Sequence, residues 1–167
     1  MRLTECNKCC LCKSRQHISF SKGEKPASVL IVFGKEPRTE DDEKRLAEFI
    51  RMLNYELKRD WYYSFALKCF SKDTKISYKQ LKKCSTWLKK EIDQVEPYII
   101  IMVGKLATLA VLNKEIEKYI VPNIFYNSNN GKTKFYFRCE PIIGQLKKIE
   151  FGLNKVVKFL KEYYQYG

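Results

Sequence analysis

The sequence predicts an α/β fold, a three-layer sandwich around a mostly parallel four-stranded central sheet. Two observations favour it. Short apolar runs that suit buried strands alternate with longer segments in which apolar residues recur at helical spacing. The 167 residues are 45% hydrophobic, which is enough for one continuous core, so a single domain over residues 1–167 is expected.

The first elements of this pattern follow the amino-terminal segment. Residues 28–34 form an apolar run closed by Gly34, which is typical of a parallel strand buried on both faces. The acidic stretch 39–42 suits a helix start, and apolar residues then recur at helical spacing up to Leu57. Residues 61–68 are rich in aromatic side chains and predict the second strand.

The next helix is predicted over residues 77–95, because its apolar residues share one face and Pro97 stops it. Residues 98–103 are another apolar run and predict the third strand. Gly104 then leads into a short helix that continues through Leu112.

The carboxyl-terminal part predicts two strands and a helix. Strands are expected at residues 121–126 and 133–138, on either side of the turn 127–132, whose Asn-Gly step favours a tight hairpin. A helix from Gln145 closes the fold. The first 27 residues show little periodicity, and we expect them to form an irregular, cysteine-bearing arm packed on the domain.

The charge balance indicates a polyanionic partner. Lys and Arg number 32 against 19 Asp and Glu, which gives a net charge of +13. Ligands of parallel sheets bind at the carboxyl ends of the strands, and cations follow several of these ends here. The candidate phosphate contacts at this edge are Lys35, Arg38, Lys68, Lys72, Lys105 and Arg138.

The cysteines predict a metal centre rather than a set of disulfides. Cys6 and Cys9 form a C-x2-C pair, Cys12 makes an overlapping pair with Cys9, and Cys69 and Cys84 follow far downstream. Four thiolates from an arm, a strand end and a helix suit an iron–sulfur cluster better than the regular knuckles of a zinc site, although zinc remains the alternative.

These residues resemble, in order and spacing, the family 4 uracil-DNA glycosylases. The resemblance covers roughly residues 1–112. It rests on Cys6-x2-Cys9, Gly34 with Pro37, Lys68-Cys69, Cys84-x2-Trp87-Leu88 and Gly104-Lys105-Leu106-Ala107. It implies the α/β sandwich of those enzymes and a [4Fe–4S] cluster held by Cys6, Cys9, Cys69 and Cys84. Cys10 and Cys12 would then lie outside the ligand set.

Three positions depart from the motifs of the resembled family. Lys35 stands where the family has the Glu beside the attacking water, Phe65 replaces an Asn that reads the uracil edge, and Glu140 replaces a His that stabilises the departing base. An ammonium opposes developing positive charge, and a phenyl ring offers no donor or acceptor. We expect no uracil excision, and the remaining candidates for a catalytic acid or base are Glu36 and Glu140.

The expected function is that of a catalytically inactive uracil-DNA glycosylase-like protein that binds DNA. It would serve as an accessory factor in replication or repair and could contact a protein there. The alternatives are an active DNA glycosylase of altered base specificity, and a cluster-bearing module that senses redox state or binds RNA or protein. The polar, cysteine-rich start and the short apolar runs predict a cytoplasmic protein without a signal peptide or membrane span.

Overall fold

A computed structural model describes residues 2–58, 60–71, 75–120, 124–128, 133, 135–139, 154–159 and 161–162. The amino-terminal segment contains a 3-10 turn and three short elements, namely Leu3–Glu5, α1 (Leu11–Ser14), β1 (His17–Ile18) and β2 (Lys22–Gly23). The following elements are β3 (Val29–Phe33), α2 (Glu40–Leu57), β4 (Trp61–Phe65), β5 (Cys69–Phe70), α3 (Tyr78–Val95), β6 (Ile99–Val103), α4 (Gly104–Val111), α5 (Lys114–Glu117), β7 (Phe125–Asn127) and β8 (Phe135–Cys139).

The central sheet has the strand order β2-β4-β3-β6-β8-β7. Its four inner strands are parallel, with Val29 of β3 level with Trp61 of β4 and Ile99 of β6. The edge strands β2 and β7 run antiparallel to their neighbours. The predicted four-stranded parallel sheet is therefore confirmed, and two short antiparallel strands extend it.

Helices cover both faces of the sheet. Alternate residues of a strand point to opposite faces, and those of β3 and β6 are apolar at every position, so both faces need to be buried. On one face, Val29 and Ile31 pack with Phe49 and Leu53 of α2 and with the helical residues 154–159. On the other face, residues of the same strands pack against α3, α4 and the arm; among them are Leu30, Val32, Leu81, Leu88, Ala107 and Leu11. The three-layer arrangement is thus the one the sequence predicts.

Side-chain caps start the two long helices. The hydroxyl of Thr39 accepts from the backbone N–H of Asp42 at the start of α2. Ser77 forms a reciprocal capping box with Gln80 at the start of α3. Both helix starts agree with the sequence prediction. The described part of the chain contains no helix that is long and apolar enough to cross a membrane.

The second strand is shorter than predicted. It ends at Phe65, and the chain then leaves the main sheet to form β5, which pairs with β1 of the arm through Ile18 and Cys69. The arm is therefore tied to the domain by backbone hydrogen bonds. Of the predicted hairpin and closing helix, residues 129–132 and 145–153 lie outside the described residues, while the antiparallel pairing of β7 with β8 agrees with a hairpin.

Candidate nucleic-acid cleft and cysteine centre

A cleft of about 290 Å³ opens at the carboxyl ends of β3, β4 and β6. The loop after β3 forms one wall, the first turn of α4 forms another, and α2 contributes Asp42 and Leu46. The apolar floor comes from Phe33, Phe65 and Val103 at the strand ends. This is the edge at which open parallel sheets bind ligands, as the sequence predicts.

Two glycines allow the walls of the cleft to come together. A Cβ on Gly34 would lie 3.1 Å from the Cβ of Leu106, so the loop after β3 passes close to α4. Gly104 has a φ of 78°, a left-handed conformation that glycine adopts without strain at the turn from β6 into α4. A side chain at position 34 would press against Leu106, and a side chain at position 104 would strain the backbone of the turn.

Three of the predicted phosphate contacts line the cleft. Lys35 and Arg38 come from the loop after β3, and Lys105 comes from the first turn of α4. Burial lowers the pKa of Lys35, and the nearby positive charge of Arg38 lowers it further. The site therefore holds like charges close together, an arrangement that an anionic ligand would stabilise.

Lys68 is not at the cleft, and the expectation of a phosphate contact there is wrong. Its side chain is 1% exposed, and its ammonium lies 2.6 Å from Glu91 of α3. Ser64 and Ser21 also accept from it, and burial lowers its pKa while the Glu91 carboxylate opposes that shift. The sequence alone does not show that the side chain of Lys68 turns into the protein. It also does not show that Glu91 of α3 faces inward to meet it.

Arg138 does not line the cleft and is paired within the protein. The phosphate contact expected of it stays a prediction. Its guanidinium donates to Glu117 at 3.2 Å and to the carbonyl of Ile120 at 2.9 Å, and its side chain is 16% exposed. Lys72 and Glu140 lie outside the described residues. Lys35, Arg38 and Lys105 are consequently the predicted cations that the structure brings together.

Glu36 lines the cleft but its carboxylate is already bound. It accepts from the hydroxyl of Ser19 at 2.6 Å and lies 2.9 Å from Nε2 of His17. The ring of His17 stacks on Phe70, with centroids 4.4 Å apart. Sequence reasoning assigned His17 to the arm and missed this contact, because the pairing of β1 with β5 that carries the arm to the cleft has no local signature.

Phe65 is part of the core and of the cleft floor. It is 3% exposed and packs against the rings of Phe33 and Tyr63, with centroids 6.0 and 5.7 Å away. Its ring supplies an apolar surface to a bound ligand and no hydrogen bond. A base in this cleft would therefore meet apolar surface at the position of Phe65.

The four predicted cluster ligands lie in one region between the arm, β5 and α3. Cys9, Cys69 and Cys84 belong to the same apolar cluster. The sulfur of the buried Cys6 accepts from the indole N–H of Trp87, which is one helical turn beyond Cys84 on α3, at 3.2 Å. The structure therefore brings the arm cysteines to the two distant ones.

The thiols of this region perturb one another. Burial raises the pKa of Cys84 to about 11, and the nearby sulfurs of Cys69 and Cys9 also raise it. Burial raises the pKa of Cys69, Arg15 opposes that shift, and the sulfurs of Cys9 and Cys6 add to it. Thiols so placed resist ionisation until a cation neutralises the thiolates, as metal ligation does.

Nitrogen donors surround the sulfurs. The backbone N–H of Lys68 lies 3.2 Å from the sulfur of Cys84, and the guanidinium of Arg15 lies 3.9 Å from that of Cys69. Such donors to sulfur stabilise thiolates and the metal centres that thiolates bind. Cys10 is exposed and accepts from Gln80 instead.

A single metal ion would need three or more ligands around one point. Within the described ranges, no three residues of the His, Cys, Asp and Glu types are grouped in that way. A four-iron cluster does not need such a group, because each cysteine binds its own iron at a separate corner. The [4Fe–4S] cluster expected at the four cysteines stays a prediction, and Cys6, Cys9, Cys69 and Cys84 are the residues that would hold it.

The comparison with protein families agrees with this architecture. The model of the uracil DNA glycosylase superfamily matches residues 19–160, which is most of the chain. A search of curated proteins finds no match. The mostly parallel sheet and its helical layers fit the α/β fold of this superfamily. The chain belongs to the uracil-DNA glycosylase superfamily.

Proposed function

We propose that the chain is a catalytically inactive, iron–sulfur protein of the family 4 type that binds DNA as an accessory factor in replication or repair. The observation that supports this is the composition of the cleft. It combines three cations with an apolar floor, while Lys35 and Phe65 stand where excision of uracil would use a carboxylate and an amide.

The cations of the cleft suit contacts with the phosphate backbone of DNA rather than recognition of particular bases. Lys35, Arg38 and Lys105 can each bind a phosphate oxygen, and such contacts carry no sequence information. Phe33 and Phe65 offer apolar surface to any base that enters. We infer weak sequence preference and a strong dependence of affinity on salt.

The cysteine centre supports a [4Fe–4S] cluster in this proposal. Cys6, Cys9, Cys69 and Cys84 would hold it, with Trp87, Arg15 and the Lys68 amide donating to three of the sulfurs. Such a cluster accepts and donates single electrons. The chain's own contribution is to join the arm, β5 and α3 around it, which favours a structural role.

The cluster is tested first, on protein purified without oxygen. A brown protein with about four irons and matching sulfide per chain is expected. The Cys84→Ser variant should lose the colour, whereas the Cys10→Ser variant, altered at an exposed cysteine, should keep it. Colourless protein with one zinc per chain would contradict the cluster.

DNA binding is tested on the same protein with unmodified duplex and single strands over a series of salt concentrations. The double variant Lys35→Gln/Arg38→Gln should bind more weakly than the wild type, and the slope of log affinity against log salt should fall by about 1.5 to 2. A double variant Lys158→Gln/Lys161→Gln removes the same charge at exposed residues that do not line the cleft and should retain the wild-type slope. The proposal fails when the wild type binds neither form of DNA.

An active glycosylase of altered base specificity is the second candidate. The specific observation in its favour is Glu36, whose carboxylate at the cleft is held by His17 and Ser19 and could act as an acid or base. Labelled duplexes that contain uracil, hypoxanthine or other altered bases would then break at the lesion after alkali treatment. Glu36→Gln should abolish that cleavage; intact strands with every lesion support the inactive protein.

A further inference from the structure

The solvent face of α3 carries a row of lysines. Five lysines are exposed along one side of the helix, Lys79, Lys82, Lys83, Lys89 and Lys90. Their separations of three, four and seven residues place them on one side of the helix. At about 1.5 Å of rise per residue, the row is about 16 Å long. These five residues, together with Lys8, are named the lysine face.

Lys8 joins this face from the arm. Its ammonium donates to the hydroxyl of Thr86 at 2.6 Å and lies 4.8 Å from the centroid of the Trp87 ring. Thr86 is the uncharged position in the middle of the row, so the arm supplies the cation that the helix lacks there. Lys90 lies over the same ring at 4.9 Å. The docked arm therefore makes the row continuous.

Acidic side chains do not neutralise the lysine face. Of the two acids in α3, Glu91 is turned inward to Lys68, and Asp93 lies near the carboxyl end of the helix. In the part of the chain that the structure describes, no ion pair involves a lysine of this face. On α2, by contrast, the exposed Lys44 pairs with Glu40. The positive charge of α3 is thus concentrated on its outer surface.

The lysine face begins beside the cleft. Ile76, two residues before α3, lines a shallow depression together with Lys35 and Arg38. The same two cations line the cleft itself. A polymer that leaves the cleft over this depression would therefore reach Lys79 at the start of α3.

We propose that the lysine face is a second binding track, along which the phosphate backbone of a nucleic acid continues after leaving the cleft. The inference rests on the proposed DNA binding. A row of about 16 Å spans about five phosphates of one strand, at about 3.4 Å of axis per phosphate. A protein partner or a membrane surface would call for exposed apolar anchors, whereas Trp87 is buried beneath two ammonium groups.

The test compares long and short nucleic acids on the full, cluster-loaded chain. The triple variant Lys79→Gln/Lys82→Gln/Lys83→Gln should bind a long single strand or duplex more weakly, and the slope of log affinity against log salt should fall by about 2 to 3. Binding of a short oligonucleotide that fills only the cleft should stay at the wild-type level. The variant Lys35→Gln/Arg38→Gln should weaken binding of both lengths.

A matched control removes the same charge from the opposite layer. Lys155, Lys158 and Lys161 are exposed on the helical residues of that layer and do not line the cleft, so their triple change to glutamine should leave the slope unchanged. Equal losses in the control and the lysine-face variant would overturn the track, because net charge alone would then explain them. A normal slope in the lysine-face variant, beside a reduced one in the cleft variant, would overturn the track and keep the proposed DNA binding.

Two further outcomes separate the partners. Polyglutamate serves as a polyanion that is not a nucleic acid. If it binds the wild type as tightly as DNA does, and loses the same affinity in the lysine-face variant, the assignment to nucleic acid is overturned. Absence of any DNA binding by the wild type would overturn both the track and the proposed function. Circular dichroism of each variant checks that a loss of binding is not caused by misfolding. Every substituted lysine of α3 is exposed, and Lys35 is partly exposed.

Discussion

Lys68 and Glu91 form an ion pair that joins the segment between β4 and β5 to α3 inside the protein. Taking an ammonium out of water is expensive, and the carboxylate offsets that cost together with the hydroxyls of Ser21 and Ser64. Ser21 in turn donates to Glu91 at 2.6 Å, so the segment between β1 and β2 is part of the same network. The network fixes the backbone that carries Cys69.

Removal of Glu91 should therefore destabilise the protein strongly. We expect Glu91→Ala to lower the free energy of unfolding by about 3 kcal/mol, because it leaves the Lys68 ammonium buried without a counter-charge. Urea denaturation monitored by circular dichroism measures the change. Glu40→Ala breaks an exposed pair on α2 and should cost less than about 1 kcal/mol.

A double variant distinguishes an uncompensated charge from lost packing. Lys68→Met/Glu91→Leu removes both charges and should recover most of the stability lost in Glu91→Ala. Equal destabilisation in Glu91→Ala and Glu40→Ala would show that the buried pair contributes no more to stability than an exposed pair.

The thiols should differ widely in their reactivity when the protein lacks a cluster. Cys10 is exposed, whereas Cys84 is buried and its pKa is raised to about 11. At about pH 8, roughly one Cys84 thiol in a thousand would be ionised, and the thiolate is the reactive form. Iodoacetamide should label Cys10 first and Cys84 last, as peptide masses after timed quenching will show. Comparable rates at the two residues would contradict the burial of Cys84.

The same labelling applied to cluster-loaded protein identifies the ligands. Cys6, Cys9, Cys69 and Cys84 should all be protected, while Cys10 and Cys12 still react. Labelling of any of the four at the rate of Cys10 would remove that residue from the proposed ligand set.

Among the elements, the arm depends on Arg15. The guanidinium donates to the carbonyls of Cys6 and Thr4 at 2.9 and 2.7 Å and lies near the sulfur of Cys69. One side chain thus closes the turn that presents Cys6 and Cys9 and connects it to β5. Other attachments of the arm include the pairing of β1 with β5 and the contacts of Cys6 with Trp87, Lys8 with Thr86 and Cys10 with Gln80.

Loss of Arg15 should open the arm without unfolding the sheet. Hydrogen bonds to a charged group contribute about 1.5 to 3 kcal/mol each, so amide exchange in residues 2–14 of Arg15→Met should accelerate at least about tenfold. Exchange in β3 and β6 should stay at the wild-type rate. Arg51→Met, altered at an exposed residue paired with Glu48, should leave the arm protected. Uniform acceleration over the whole chain would show that Arg15 stabilises more than the arm.

Elements with a strong local signal were predictable from the sequence. Strand β3 was predicted because its residues form a continuous apolar run. Helices α2 and α3 were predicted because their apolar residues recur at helical spacing after a capping residue. The two-residue strands β1, β2 and β5 were not, because their pairing is decided by tertiary contacts. For the same reason the cleft was located by topology, whereas the inward turn of Lys68 and the contact of His17 with Glu36 required coordinates.

On the scale of the whole molecule, the two helical layers have different roles. One layer contains α2 and residues 154–159, and its exposed charges pair with each other, as Lys44 does with Glu40. The other contains α3, α4 and the arm, and it combines the cysteine centre with the lysine face. The cleft lies at the carboxyl edge of the sheet, where both layers contribute to its walls. Positively charged residues therefore extend from the cleft along the layer of α3, α4 and the arm. The proposed cluster would bind within this same layer.

With the proposed cluster bound, the stability of the basic layer would depend on that cluster. A cluster bound by four cysteines links residues far apart in the chain, and its binding free energy contributes to folding. Cluster-loaded protein should melt at least about 5 °C above protein from which a chelator has removed iron under reducing conditions, because 1 kcal/mol corresponds to about 2 to 4 °C in a chain of this length. Scanning calorimetry of the two forms measures the difference. Cys69→Ser should show no such difference, Cys10→Ser should show all of it, and equal melting of both wild-type forms would leave the cluster without a structural role.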